Sequence, residues 1–170
     1  MTDAASLVHL VEPGAPRAEA ARAHLASRFR VVVVDARESA GAVLHALDGA
    51  GVSAFSLLAT AGASRTVAAL AREAGTRLLA LVLESPDAPG PADIPAAPAL
   101  VVLGTRDTEA AQGAGVGWVD RIPGSHLVYV YAAGHAVGED RPEAFAEVVG
   151  DFLERHDVFV ISRTTTVIYP

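Results

Sequence analysis

Phe55–Ala71 reads FSLLATAGASRTVAALA. Its first five residues, Phe55–Ala59, are apolar and free of Pro and charge, as in a buried strand. After Ala-Gly-Ala-Ser the period becomes helical, with Val67, Leu70 and Ala71 on one face. A strand that turns into a helix within about three residues leaves no room for large side chains and often needs φ > 0, which explains the small residues. Turns of this kind sit at the carboxyl ends of parallel strands, where open α/β sheets place their ligand sites.

The flanking sequence repeats this alternation. Leu7–Val11 is a short apolar run closed by Glu12-Pro13-Gly14, and Arg17–Arg28 then carries Ala20, Ala21, His24 and Leu25 on one stripe. Arg30–Asp35 (RVVVVD) is too apolar for a half-exposed strand and predicts a parallel sheet covered on both faces. Ala42–Asp48 predicts a short helix, and Leu78–Leu83, Ala99–Leu103 and His126–Tyr131 predict strands. Glu84–Pro98 is a Pro-rich connector, and the segment after Asp107 is polar and Gly-rich. Arg141–His156 is an amphipathic helix with Pro142 in its first turn. The expected fold class is α/β, a mainly parallel sheet with helices on both faces, in a single domain over 1–170. The β-branched tail at 158–170 predicts one more strand, which either extends its own sheet or pairs across a dimer.

Composition narrows the chemistry. Half of the 170 residues are apolar, enough for a full core. No apolar run is long enough to span a bilayer and no signal peptide is visible, so a cytoplasmic protein without a membrane partner is expected. The absence of Cys removes thiolate nucleophiles and Cys-based metal sites, and the absence of Lys removes Schiff-base chemistry and the Gly-Lys-Ser/Thr phosphate loop. A net charge of −7 argues against a nucleic-acid partner. His9, His24, His45, His126 and His156 have no ligand spacing, so no metal or other cofactor is expected.

The ordered series Glu12-Pro13-Gly14, Asp35-Ala36-Arg37, Ala59-Thr60-Ala61-Gly62-Ala63, Gly104-Thr105-Arg106-Asp107 and Ala133-Gly134-His135 resembles the α/β-hydrolase superfamily over residues 7 to 156. In that family an oxyanion loop, a second strand, a nucleophile elbow, an acid and a His follow successive strands. The resemblance implies a truncated core without a cap domain, lacking the two antiparallel strands that usually come first. It implies His135 as the catalytic imidazole, with Asp107 fixing its tautomer. Read without the resemblance, Asp107 is equally a turn residue or the N-cap of a helix starting near Thr108.

The elbow departs from the family. In one register its nucleophile position holds Ala61, whose methyl cannot attack a carbonyl, and Ser64 is a first-turn residue bonded to local backbone. In the other, Gly62-Ala63-Ser64-Arg65-Thr66 makes Ser64 the nucleophile. Gly62 offers an amide for an oxyanion, Thr60 a hydroxyl, and Glu12 and Gly14 line the loop where family members carry His-Gly. Pro13 has no N–H to donate there, and a carboxylate opposes an oxyanion. Three functions remain: a small-molecule-binding or accessory protein that has lost the nucleophile, an esterase or thioesterase using Ser64, and a general-base enzyme using His135 and Asp107 without a covalent step. A homodimer is the expected assembly.

Overall fold

The computed structural model describes residues 5–14, 18–60, 62–90, 94, 96–156 and 167–168. Ala61 and most of the 158–170 tail therefore lie outside the described residues. Seven strands form one sheet: β1 (Ser6–Val11), β2 (Arg30–Asp35), β3 (Phe55–Ala59), β4 (Leu78–Glu84), β5 (Ala99–Gly104), β6 (His126–Val130) and β7 (Val167–Ile168). Their order is β2-β1-β3-β4-β5-β6-β7, and every pair is parallel. The described part of the tail thus pairs with Tyr129–Val130 of its own sheet.

Parallel strands need crossovers, and the chain supplies helices on both faces. Leu57, Leu81, Leu83, Val101 and Leu103 face α2 (Ala40–Gly49), α3 (Ser64–Ala74) and α4 (Glu109–Arg121). Their alternates Leu58, Ala80, Val82, Leu100 and Val102 face α1 (Glu19–Leu25) and α6 (Pro142–Arg155). A four-residue helix, α5 (Val137–Asp140), precedes α6. Both faces being buried, the strands read as continuous apolar runs. No described helix is long and apolar enough to cross a membrane.

Several boundaries differ from the sequence reading. The helix expected over Arg17–Arg28 is shorter, beginning after Ala18 in a left-handed conformation. The one expected over Ala42–Asp48 starts earlier because the Ser39 hydroxyl accepts from the Ala42 N–H and caps it. The amphipathic segment breaks at Arg141, and Pro142 takes the first-turn position of α6. The largest difference is the extent of α4: the helix left open near Thr108 runs for 13 residues through the Gly-rich passage. Its N-cap is Thr108, whose hydroxyl accepts from the Ala111 N–H at 3.2 Å, so Asp107 is not the cap. Trp118 and Ile122 are buried on its inner face. Gly115 lets this helix approach β5, because a Cβ there would come within 2.8 Å of the Leu103 methyls.

Gly115→Ala should therefore lower the unfolding free energy by about 1–3 kcal/mol through overpacking. The adjacent Val116→Ala, at a 40% exposed position, should stay within about 0.5 kcal/mol of wild type. Urea unfolding of the two variants checks this.

Candidate active site

Residues that follow the strand ends converge on two loops. After β5 the chain turns through Thr105-Arg106-Asp107, and after β6 through Tyr131-Ala132-Ala133-Gly134-His135. Gly104 allows the loops to touch, since a Cβ there would strike the Ala133 and Gly134 carbonyls. The Arg106 N–H donates to the Ala133 carbonyl at 2.8 Å, the Thr105 N–H to the Val130 carbonyl at 3.1 Å, and the Ala132 N–H to the Thr105 hydroxyl at 3.0 Å.

The two candidate side chains meet across this seam, with His135 Nδ1 2.9 Å from Asp107 Oδ2. The Asp107 side chain is 3% exposed and its other oxygen accepts from the Thr108 N–H at 2.8 Å. A carboxylate so placed can accept from an Nδ1–H, the tautomer that presents Nε2 as an acceptor. The His135 side chain is 52% exposed, so a ligand has access to it. The Asp140 carboxylate accepts from the Gly134 N–H at 2.7 Å, and Arg141 donates to the Tyr131 carbonyl at 2.9 Å, closing the loop behind the imidazole.

The elbow after β3 is a tight turn. The Ala63 N–H donates to the Thr60 carbonyl at 2.9 Å, and Gly62 has φ +83°, which only glycine adopts without strain. Thr60 is buried and its hydroxyl donates to the Leu10 carbonyl at 3.3 Å, tying the elbow to β1. Glu12, one residue past β1, lays its carboxylate against Gly62, where any Cβ would strike it. Ser64 opens α3 as a buried residue, and its hydroxyl accepts from the Asp87 N–H at 3.1 Å. That partner is remote in sequence, not the local backbone. Trp118 donates its indole N–H to the Asp87 carbonyl at 2.6 Å, so Asp87 links α3 to α4. Gly14 is exposed with φ +87°, and Arg37 is engaged by Asp35 at 2.7 Å. Ala61, the other candidate nucleophile position, lies outside the described residues. No group of three or more His or acidic side chains that could hold a metal ion occurs among the described residues.

Two further titratable groups stand out, Glu84 and His9, neither of which the sequence marks as a site. Glu84 ends β4, is 3% exposed, and accepts from the Gly138 N–H at 2.7 Å, three residues after His135. Burial pushes its carboxyl from 4.5 up to about 7, although the Gly138 amide and His135 favour the charged form. Gly138 is the residue that fits, since a Cβ would lie 2.7 Å from the Ala18 methyl. The signal in the sequence is an acid directly after a fully apolar run, at the position where the sequence places the start of the connector. The next residue, Ser85, has φ +38° and a buried hydroxyl without a partner among the described residues. His9, in mid-β1, is 1% exposed with neither ring nitrogen hydrogen-bonded among the described residues. Burial, helped by the Arg22 guanidinium, pushes its imidazole from 6.5 down to about 4.

These two groups make opposite contributions to stability. Glu84 binds its proton more tightly folded than unfolded, so its contribution is full below about 4.5 and is lost as pH rises through about 7. His9 binds its proton less tightly folded, so its contribution is full above about 6.5 and is lost as pH falls towards 4. Each is on the order of 3 kcal/mol, and the two offset one another over most of the window. Urea unfolding between pH 4.5 and 6.5 should accordingly give a rising stability for Glu84→Gln, a falling one for His9→Phe, and a flatter profile for wild type.

No family model and no curated protein matches the sequence. Solved structures do match in three dimensions. An enol-lactonase from Burkholderia xenovorans superimposes with a TM-score of 0.76 at 18% identity, over 89% of this chain and 92% of that one. A thermophilic esterase from Thermogutta terrifontis gives 0.74 at 14% identity over 92% of each chain. A carboxylesterase from Bacillus subtilis gives 0.70 at 15% identity over 90% and 85%. With only 14 residues between β4 and β5 there is no room for a cap domain in that connection. The order of strands, the turn after β3 and these superpositions together show that the chain has the α/β-hydrolase fold, in a compact form without a cap.

Proposed function

We propose that this protein binds a small molecule over the His135–Asp107 pair and does not carry out conventional serine hydrolysis. The observation that carries this reading is the Glu12 carboxylate lying against Gly62. Acyl transfer through a serine needs donors aimed at a developing oxyanion beside the elbow, and a carboxylate there repels that charge. The neighbouring Pro13 has no N–H to contribute. Ala61 supplies no nucleophile in the first register, and in the second the Ser64 hydroxyl is buried against the Asp87 N–H, away from the role of an exposed attacking group. The solved structures named as lactonase and esterases share the fold, and the names describe their activities, not this chain's.

A second reading is favoured by the His135–Asp107 geometry itself. A carboxylate on Nδ1 and an accessible Nε2 are what a general base requires, and such a base can take a proton from a bound acid or phenol without a covalent step. In both readings His135 contacts the ligand and Asp107 positions His135.

The test is hydrolysis of p-nitrophenyl butyrate by wild type, His135→Ala, Ser64→Ala, Ala61→Ser and Ala61→Ser/Glu12→Gln. Wild type should show no turnover that depends on His135, and the Glu12→Gln change should raise the rate of the Ala61→Ser protein by about tenfold or more, since one oxyanion-site interaction is commonly worth 10²–10³. Wild-type turnover that disappears in both His135→Ala and Ser64→Ala would overturn the proposal and assign the chemistry to Ser64.

A further inference from the structure

The geometry points to a second copy of this chain as the partner of β2: two protomers join edge to edge, antiparallel, about a twofold axis normal to the sheet. β2 is the terminal strand of the sheet, and no described residue pairs with its outer side. Sheet edges of this kind are normally blunted by Lys, Pro, a bulge or a covering element. β2 carries none of these within Arg30–Asp35, and its middle is four consecutive valines. Every one of the four is at least partly exposed, and Val33, at 51%, is the most exposed large apolar residue of the described chain.

Its hydrogen-bonding side is fixed by β1. The Arg30 N–H donates to the Ala5 carbonyl and the Ala36 N–H to the Val11 carbonyl, so even-numbered residues face β1. By the two-residue period the main-chain groups of Val31 and Val33 face outward. Phe29 ends the row, since its N–H is taken by the Leu25 carbonyl at 2.9 Å. A ladder centred on Val33, with Val33 of a second copy opposite it, matches this outward set.

Symmetry selects the direction. With the main-chain groups of Val31 and Val33 outward on both copies, an antiparallel ladder sets Val33 opposite Val33 and closes about the twofold axis; a parallel ladder needs the outward residue of one strand between two outward residues of the other, a one-residue offset that no twofold axis relates. Arg30 reaches the Ala50 carbonyl at 2.8 Å, and Asp35 holds Arg37. The twofold axis also keeps the α1/α6 layers of both copies on one side. There an open groove of about 280 Å³, lined by Val11, Pro13, Arg22, Val33 and Asp35, flanks the seam and receives apolar side chains of the other copy. A six-residue seam buries less than a standard interface, so a dimer with a Kd on the order of micromolar is expected.

Sedimentation of the full chain from about 1 to 200 µM tests this, with Val33→Lys and, as a control on the far side of the sheet, Val116→Lys. Wild type and Val116→Lys should pass from monomer to dimer over this range, whereas Val33→Lys should stay monomeric, a weakening of at least about a hundredfold, with an unchanged far-UV spectrum. Amide exchange at Val31 should slow with concentration in wild type and not in Val33→Lys. A wild type that remains monomeric at the highest concentration, or a dimer that Val33→Lys leaves intact, overturns the proposal. So does a Val31 amide protected at every concentration, which would mean that the chain covers this edge itself.

Discussion

A parallel sheet covered on both faces has no wet side, and this constraint organises the whole chain. Strand interiors admit almost nothing that needs water, so charge and hydrogen-bonding side chains collect beyond the strand ends. Glu12, Asp35, Glu84, Asp107 and His135 all end or follow strands within this one sheet. The core is accordingly split in two, one apolar layer under α2, α3 and α4 and another under α1 and α6. His9 is the exception in mid-strand, and its imidazole is held neutral by the same burial that excludes water from its neighbours.

The candidate site depends on how closely two loops approach. Gly104 leaves no side chain in the contact, main-chain bonds tie Arg106 to Ala133, and Asp107 meets His135 at 2.9 Å. Glu84 sits beneath this arrangement and grips the chain at Gly138. Its partner Gly138 lies three residues after His135, so this buried acid fixes the segment that carries the imidazole.

The alternation of apolar runs with helical stripes made the fold legible, because each strand is short, apolar and bounded by Gly, Pro or charge. Asp107 and His135 were legible for a related reason: each follows a strand that could be recognised by itself. α4 was not, since glycines at 113, 115 and 117 weaken the helical pattern, and it is the packing of Gly115 on Leu103 that makes one of them an asset. Glu84 escaped because an acid after an apolar run looks like solvated connector until the loop carrying Gly138 closes over it.

By itself the sequence determined the order of the strands, most of the helices between them and the chemical types offered in the loops, because hydrophobic period and turn chemistry are local properties of the chain. Tertiary structure decided which offers are used. That Asp107 orients His135 instead of capping α4, that Ser64 is turned towards Asp87, and that Glu12 folds back over Gly62 are outcomes of contacts between segments up to 50 residues apart. Such contacts depend on the three-dimensional crossing of strands and loops, and no local pattern encodes the distance between side chains that only the folded sheet brings together.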